Sequence, residues 1–258
     1  MTGIVLLPLI PLRKTAAETS EMTSQLLFGE IVDILESTER WLLIQNQSDK
    51  YCGWVDRKML HLISEQEVHD LRKTSAYKVK STITSCIRTR SNEQMFVPAS
   101  SLWYQNDLIG FRIADEIFQI HSSDLTSKTD NRKVIILELA YQFLNAPYLW
   151  GGKSILGIDC SGFTQVVFAV AGIQLSRDAF EQATEGQEIN SLAEAQACDL
   201  AFFENTDGKI IHVGILLNSQ QIIHASGWVK IENIDSKGII STQSGQYSHK
   251  LRLIKKII

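Results

Sequence analysis

A cysteine beside an acidic residue marks the stretch of this 258-residue chain that is best suited to chemistry. The stretch reads Gly157-Ile158-Asp159-Cys160-Ser161-Gly162-Phe163, and apolar residues then recur at spacings of three and four as far as Gly172. That spacing predicts a helix with Cys160 at or near its N-terminus. Free backbone N–H groups and the helix dipole favour a thiolate there, so Cys160 is a candidate nucleophile. The plain alternative is one more buried thiol.

Two histidines lie on predicted strands downstream, His212 on Ile210–Leu217 and His224 on Gln221–Ala225. A three-residue loop at 218–220 pairs the strands so that both histidines share a face, whereas a two-residue loop places them on opposite faces. Base catalysis by one histidine, oriented by the other, requires the first register. A lone strand histidine is otherwise an ordinary core or surface residue.

The elements that must position these residues form an α+β pattern. Helical periodicity over 134–144 ends before Pro147, a loop over 148–152 follows, and the Cys160 helix precedes the two strands. A nucleophile helix packed on an antiparallel sheet that carries histidines is the layout of papain-like peptidases. We assign this predicted domain to residues 132–258.

Short strand patterns separated by turn residues dominate the first half of the chain. Residues 1–62 are predicted to form a small five-stranded barrel that resembles the bacterial SH3-like module. Residues 63–125 are predicted to form a second, degenerate barrel of this kind, with a short helix at 63–70 and strands at 77–83, 85–89, 108–113 and 117–120. The polar stretch 122–133 is the predicted linker.

Charge and cysteine usage exclude several classes of protein. A net charge of −4 and a pI near 5.9 argue against a nucleic-acid binder. Four cysteines are spread singly, which indicates neither a zinc site nor a disulfide framework. We therefore expect no metal and no cofactor.

The apolar run Gly3–Ile10 could pass for the core of a signal peptide, but its charges, Arg13 and Lys14, follow the run instead of preceding it. A first strand that leads into a Pro-Leu-Arg turn at 11–13 explains the run better. No other run reaches the length of a membrane span, so we expect no membrane partner and a cytoplasmic protein.

Five motifs in order resemble those of NlpC-type bacterial cell-wall peptidases and cover residues 134–258 nearly completely. They are Tyr148-x-Trp-Gly-Gly, Asp159-Cys-Ser-Gly-Phe, Asp199-Leu-x-Phe-Phe, His212-Val-Gly-Ile and Ile223-His-Ala-Ser-Gly. One departure is Ala197-Cys198, which stands where Pro-Gly is usual before Asp199. We expect this change to alter a turn and to spare the chemistry.

The first half resembles the subgroup of γ-D-glutamyl-L-diamino-acid endopeptidases, through the pattern Glu21-Met-x-x-Gln-Leu-Leu-x-Gly-Glu. The resemblance implies a cysteine peptidase that cuts the bond from γ-D-Glu to an L-diamino acid in free muropeptides with an unblocked N-terminal L-Ala. Such an enzyme serves the recycling of cell-wall peptides and needs no nucleic acid.

The chemistry assigns Cys160 as nucleophile, His212 as the base that takes and returns its proton, and His224 as the group that orients His212. The Cys160 backbone N–H and the Tyr148 hydroxyl are candidates for the oxyanion site. For Tyr148 the alternative is packing against Trp150.

The resemblance also implies that Asp159 binds the free amine of the substrate, with Glu21 and Tyr51 completing the pocket. Asp159 otherwise indicates a helix cap, and Glu21 and Tyr51 otherwise fit surface and turn positions. Arg177 and Asp178 lie in a family-like run and receive no role.

Three alternatives to this function stay open. One is a wall-binding protein whose SH3-like modules hold peptidoglycan and whose catalytic half is vestigial. Another is a general hydrolase that acts on intact peptidoglycan. The third is a related amidase or acyltransferase for lipid-like substrates, which no membrane-binding stretch supports.

Overall fold

The computed structural model describes residues 1–105, 110–113, 115–126 and 131–258. Contacts divide them into two compact units. The N-terminal unit holds the described residues up to 126 together with 153–155. The second unit holds 131–152 and 156–258 and is termed the catalytic unit because it contains the predicted nucleophile, Cys160. Within the described ranges, no helix combines the length and the apolar character that a membrane crossing requires.

Seven strands of the N-terminal unit form one antiparallel sheet, in the order β3-β2-β6-β5-β4-β1-β7. They are β1 Thr2–Ile4, β2 Leu9–Arg13, β3 Met22–Leu27, β4 Ile31–Ser37, β5 Trp41–Asn46, β6 Cys52–Asp56 and β7 His61–Ile63. Alternate side chains from this sheet fill one apolar cluster that includes Ile10, Val32, Ile44 and Val55. The sheet corresponds to the small barrel predicted at residues 1–62, but it has seven strands instead of the predicted five.

The predicted start of this sheet is wrong in detail. The apolar run Gly3–Ile10 contains parts of two strands, β1 and β2, with a bend at Leu7 and Pro8 between them. The predicted turn at 11–13 lies inside β2, where Pro11 pairs with Gln25. The turn prediction failed because a proline can occupy a strand position that donates no ladder hydrogen bond.

The rest of the N-terminal unit is a helix and two small sheets. These elements are α1 Glu65–Lys73, β8 Ser75–Lys78, β9 Ile83–Arg88, β10 Glu93–Pro98, β11 Leu102–Gln105, β12 Phe111–Ile113 and β13 Glu116–Gln119. The sheet orders are β10-β9-β13-β12 and β11-β8. The sequence pattern missed β10 and β11, and it extended a strand to 83 where β8 ends at Lys78. Residues 108 and 109 of a predicted strand lie outside the described residues.

An aromatic cluster joins the two halves of this unit. Phe28, from the first sheet, lies 5.1 Å from Phe118 and 6.2 Å from Trp103 between ring centroids. The same buried cluster includes Ile4 and Phe111. The predicted barrels at 1–62 and 63–125 thus share a core, and the boundary between them stays a prediction.

The predicted linker at 122–133 is only partly visible among the described residues. At its start, Leu125 is buried and forms a bridge with Val79, and Ser122–Asp124 form a 3₁₀ turn. At its end, Asn131 caps the next helix. These two stretches are therefore ordered parts of their units.

The catalytic unit contains three helices and the strands of a second large sheet. The elements are α2 Arg132–Gln142, α3 Cys160–Val170, α4 Ala179–Gln182, β16 Gln187–Ile189, β17 Leu200–Glu204, β18 Ile210–Asn218, β19 Gln221–Ser226, β20 Trp228–Asp235, β21 Gly238–Ile240 and β22 Tyr247–Lys256. The short strands β14 Lys153–Ser154 and β15 Gly157–Ile158 precede α3. The predicted helices and histidine strands are all present.

This sheet closes on itself. Its order is β16-β22-β17-β18-β19-β20-β21, and β21 also pairs with β22. Six strands thus form a small barrel around a core that includes Phe203, Leu216, Ile222 and Ile234. α3 is buried along its whole length and packs against α2, β18 and β19.

Cys198 adopts the backbone conformation that the usual glycine would adopt. Its φ is +75°, in the left-handed region that side chains other than glycine rarely enter. Its N–H still donates to Leu216 at 2.9 Å, which joins the turn to β18. The turn therefore survives with a cysteine in it.

Candidate active site

Cys160 occupies the first position of α3, as the sequence predicts. Asp159 caps the helix by accepting the Gly162 N–H at 2.7 Å. The Cys160 sulfur is buried and accepts hydrogen bonds from the backbone N–H groups of Ser161 and Val213. Because Val213 directly follows His212, the hydrogen bond brings the sulfur next to that part of β18.

The environment of the sulfur opposes the thiolate that the helix terminus predicts. Burial raises the pKa of the Cys160 thiol to about 12, and the nearby Asp159 charge acts in the same direction. The Val213 N–H, Arg177 and the Ser161 N–H lower it by less. The environment of the sulfur therefore favours the neutral thiol over the thiolate.

His212 and His224 share a face, which confirms the predicted parity. The Nε2 atom of His212 lies 2.9 Å from the Nδ1 atom of His224. Ile215 pairs with Ile223, as in the predicted register, but the loop is a two-residue turn and not the predicted three-residue loop. A bulge leaves Leu217 of β18 without a partner on β19. This unpaired residue and the two turn residues together replace the predicted three-residue loop, so the two histidines still lie on the same face of the sheet.

The strand opposite His224 provides room for it. A Cβ atom at Gly214 would lie 2.8 Å from the Cβ of His224, closer than real side chains approach. The His-Val-Gly motif therefore has a structural reason, because the glycine lets the second histidine lie against β18.

Glu232 extends this pair into a relay, and the sequence analysis missed it. Its Oε2 atom lies 3.0 Å from Nε2 of His224, and both side chains are buried. The sequence pattern does contain the information needed to find Glu232. His224 pairs with Lys230 in the next hairpin, and Glu232 lies two residues beyond Lys230 on the same face of the sheet. Parity applied to this second hairpin would have found it.

The hydrogen bonds among these three residues determine which ring nitrogens of His212 and His224 carry a hydrogen. Glu232 is a carboxylate and can only accept, so Nε2 of His224 carries a hydrogen and its Nδ1 is an acceptor. Nε2 of His212 must then donate to that Nδ1, which leaves Nδ1 of His212 unprotonated. A neutral imidazole with a free ring nitrogen is the form that a general base needs.

The charges of the relay fit this assignment. Burial lowers the pKa of His212 well below its ordinary value, and His224, His249 and Lys230 add to the effect. Burial alone would raise the pKa of Glu232, but hydrogen bonds from His224 and Thr242 and the Lys230 charge lower it to about 2. At neutral pH His212 is therefore uncharged and Glu232 is ionised.

Arg177 is a buried cation of the site, and the sequence analysis assigned it no role. It donates to both carboxylate oxygens of Asp159, at 3.1 and 2.5 Å, and to the Ser161 hydroxyl at 2.9 Å. Asp159 also accepts the Gly151 N–H at 2.8 Å. The carboxylate thus fixes the loop, the helix start and Arg177, while its predicted binding of a substrate amine stays a prediction. Asp178 precedes α4 as its N-cap residue.

Tyr148 lies in the loop before α3, where its N–H donates to Gly227 at 2.9 Å. Burial raises the pKa of its phenol above the ordinary value, and the nearby Cys160 and Asp159 act in the same direction. The hydroxyl therefore keeps its proton and can donate to an oxyanion. That role stays a prediction.

Glu21 and Tyr51 belong to the N-terminal unit. Glu21 is exposed and forms an ion pair with Lys14 at 3.1 Å. Tyr51 is half-buried and packs against the apolar cluster of the first sheet. Their predicted role toward the substrate amine stays a prediction.

Three histidines are close enough to raise the question of a metal. Ring nitrogens of His212, His224 and His249 lie within 4.8 Å of one another. However, the facing nitrogens of His212 and His224 share a hydrogen bond, and the His212 and His249 rings lie 25° from parallel. The free lone pairs therefore do not converge on one point, as metal ligands must.

Comparisons with known proteins agree with this chemistry. Residues 145–249 match the NlpC/P60 family, and residues 12–60 match the bacterial dipeptidyl-peptidase Sh3 domain. A gamma-D-glutamyl-L-lysine dipeptidyl-peptidase of Bacillus subtilis is 27% identical over 216 residues, which are 78% of this chain and 71% of that protein. One of the same name from Bacillus cereus is 26% identical over 258 residues, 88% of this chain and 74% of that protein.

The fold agrees as well. A crystal structure of an NlpC/P60 family protein from Bacillus cereus matches with a TM-score of 0.83, covering 100% of this chain and 99% of that one. The sequence identity is 18%, so this likeness concerns the fold. Together with the family matches and the Cys160 site, it leads to one conclusion: the chain is a cysteine-type peptidase with an NlpC/P60 domain at residues 145–249, preceded by a bacterial SH3 domain at residues 12–60.

Proposed function

We propose that the enzyme hydrolyses the bond from γ-D-Glu to an L-diamino acid in free muropeptides whose N-terminal L-Ala is unblocked. The hydrogen-bonded series of His212, His224 and Glu232 is the observation that carries the peptidase chemistry. The Cys160 sulfur lies beside it, at the N–H of Val213, the residue that follows His212. The names of the two dipeptidyl-peptidase relatives, each matched over more than two thirds of its length, support the choice of bond.

In the first half of the reaction, Nδ1 of His212 takes the thiol proton as the Cys160 sulfur attacks the γ-carbonyl carbon of D-Glu. His212 becomes an imidazolium, which His224 and the ionised Glu232 stabilise. Donors at the Cys160 backbone N–H and the Tyr148 hydroxyl would hold the oxyanion. The C–N bond then breaks, and His212 returns the proton to the amine of the leaving diamino acid.

In the second half, water attacks the thioester that joins Cys160 to the γ-carboxyl of D-Glu. His212 takes a proton from that water and returns it to the departing sulfur. The products are L-Ala-D-Glu and the free diamino acid. The enzyme returns to its neutral thiol and neutral imidazole.

The enzyme is proposed to recognise its substrate by the free amine of L-Ala. Glu21 and Tyr51 are proposed to bind that ammonium, and the charge of Asp159 contributes less because Arg177 already balances it. Intact peptidoglycan, whose L-Ala amine is an amide, would then be a poor substrate. We accordingly propose a role in peptide recycling in the cytoplasm, which cell fractionation with an antibody would test.

The test compares L-Ala-γ-D-Glu-L-Lys with its N-acetyl derivative and with intact peptidoglycan. Acetylation removes the ammonium charge from all of its partners together and adds the bulk of an acetyl group, so we expect kcat/KM to fall by about a hundredfold, more than the loss of any single partner would cause. Cys160→Ala serves as the inactive control. A change of less than about fivefold would contradict the amine requirement and favour a general wall hydrolase.

A further inference from the structure

A third histidine, His249, lies against the catalytic base. Its ring stacks on that of His212, with centroids 4.1 Å apart and planes 25° from parallel. The same ring meets His224 and Phe203 edge-on, at 5.7 and 5.9 Å. One face of the His212 imidazole is therefore covered by an aromatic ring that is not part of the relay.

The fold holds His249 firmly in this place. Ile239 pairs with His249 where β21 closes the barrel onto β22. Gly238, with φ +148°, lets the chain pass the His249 carbonyl so closely that a Cβ atom would lie 1.8 Å from its oxygen. The Ser248 hydroxyl lies 2.9 Å from Nδ1 of His249 and orients the ring.

The outer side of His249 faces a cavity. The residue is half-buried and lines a surface cavity of about 1030 Å³, together with Ile211, Tyr247 and Leu251. His212 is buried and does not line this cavity. His249 thus contacts both the cavity and the covered face of the base.

We infer that His249 is a positioning residue for the base: its ring fixes the plane of the His212 imidazole and shields it from the water of the adjacent cavity. The inference rests on the proposed function, because it assumes that His212 takes the Cys160 proton. Burial is the first cause of the low pKa of His212, so the shield also sets the pH at which the base becomes neutral.

The charge state of His249 suits this role. Burial lowers its pKa to about 4, and the groups that face it are His212 on β18, His224 on β19, and Lys230 and Glu232 on β20. Its ring is therefore neutral above about pH 5. A neutral ring can stack on the imidazolium that forms during attack, whereas a charged ring would repel it.

Kinetics of His249→Ala and His249→Phe test the inference. The alanine variant should lose about tenfold in kcat with little change in KM, because the base loses a stacked ring and not a substrate contact. Water would reach His212 and raise its pKa, so the acidic limb of the kcat/KM profile should move by about one pH unit or more toward neutrality. Phenylalanine restores the stack and the shield and should recover most of the rate and the wild-type limb.

Two further measurements keep the outcomes distinct. His69→Ala, at an exposed position of the N-terminal unit, is the control and should change neither kcat nor the limb. An NMR titration of His212 reports its pKa without any substrate, so it tests the shield even if the proposed bond is not the one cleaved. The inference would be overturned if both His249 variants had the kcat and the pH profile of the wild type and the titration showed no change in the pKa of His212.

Discussion

The proposed functional residues of the two units differ in their surroundings. In the catalytic unit, His212, His224 and Glu232 are buried and aligned through hydrogen bonds of 2.9 and 3.0 Å. In the N-terminal unit, Glu21 is exposed beside Lys14, and Tyr51 is half-buried. The first group is fixed in one arrangement by burial and hydrogen bonds, whereas the second group is open to solvent, as a recognition surface is.

The difference follows from what each task requires. Proton transfer needs a defined tautomer and a fixed ring plane, which buried strands provide because every polar atom must find a partner there. Recognition of an ammonium tolerates solvent and mobile side chains, but it gains less energy from each pair. Substitutions should therefore have large effects in the catalytic unit and small effects at Glu21.

The largest expected effect is at the base. His212→Gln keeps a donor toward His224 and removes the titrating ring, so kcat should fall by about four orders of magnitude. His121→Ala, at an exposed position of the N-terminal unit, should leave kcat unchanged. Single-turnover measurements with the free tripeptide decide it, and a loss of less than tenfold would remove His212 from its role.

The second effect concerns stability and not rate. Arg177→Met leaves the buried Asp159 carboxylate unpaired, so the free energy of unfolding should fall by about 3–5 kcal/mol. Adding Asp159→Asn should recover part of this loss, since asparagine also caps a helix. Arg252→Met removes an exposed arginine from Glu204, which keeps Lys250 as a partner, so it should barely move the urea midpoint. Equal shifts from both arginine variants would contradict the distinction.

The third effect is at the end of the relay. In Glu232→Gln the amide oxygen would accept from Thr242, as Oε1 does now at 2.9 Å, and the NH₂ would face His224. That donor forces the opposite tautomer on His224 and so protonates Nδ1 of His212. We expect kcat to fall by between about tenfold and a hundredfold with KM nearly unchanged. An unchanged kcat would show that Glu232 does not set the tautomer.

The smallest effect should be at Glu21. Because this carboxylate is 41% exposed and paired with Lys14, Glu21→Gln should lower kcat/KM for the free tripeptide by only about fivefold. It should also reduce the preference over the N-acetyl tripeptide. Glu18→Gln, another exposed glutamate of this unit with an arginine partner, is the matched control. Identical preferences in both variants would exclude Glu21 from amine recognition.

The sequence predicted the parts of the site that are local or periodic. Cys160 at a helix start follows from the spacing of apolar residues, and the shared face of His212 and His224 follows from strand parity. The bulge at Leu217 could not be predicted, because Ile215, Leu216 and Leu217 form a continuous apolar run in which a one-residue shift of the alternation leaves no trace. The predicted shared face is nevertheless correct. The bulge residue Leu217 and the two turn residues together offset the strands by the three residues that the predicted loop would have supplied.

What the sequence missed depends on burial or on long-range packing. The helix terminus predicted a thiolate at Cys160, but burial has the larger influence on its pKa. Arg177 is far from Asp159 in sequence, and His249 reaches His212 only because β21 closes the barrel onto β22. Hydrophobic periodicity carries no information on such contacts.

The decisive measurement for the proposed bond is identification of the products. The enzyme is incubated with L-Ala-γ-D-Glu-L-Lys, and the products are read by mass spectrometry beside a Cys160→Ala control. We expect L-Ala-D-Glu and free lysine in equal amounts, with a trapped acyl-enzyme on Cys160 at early times and no products from the control. Release of free alanine, or products from the Cys160→Ala variant, would contradict it.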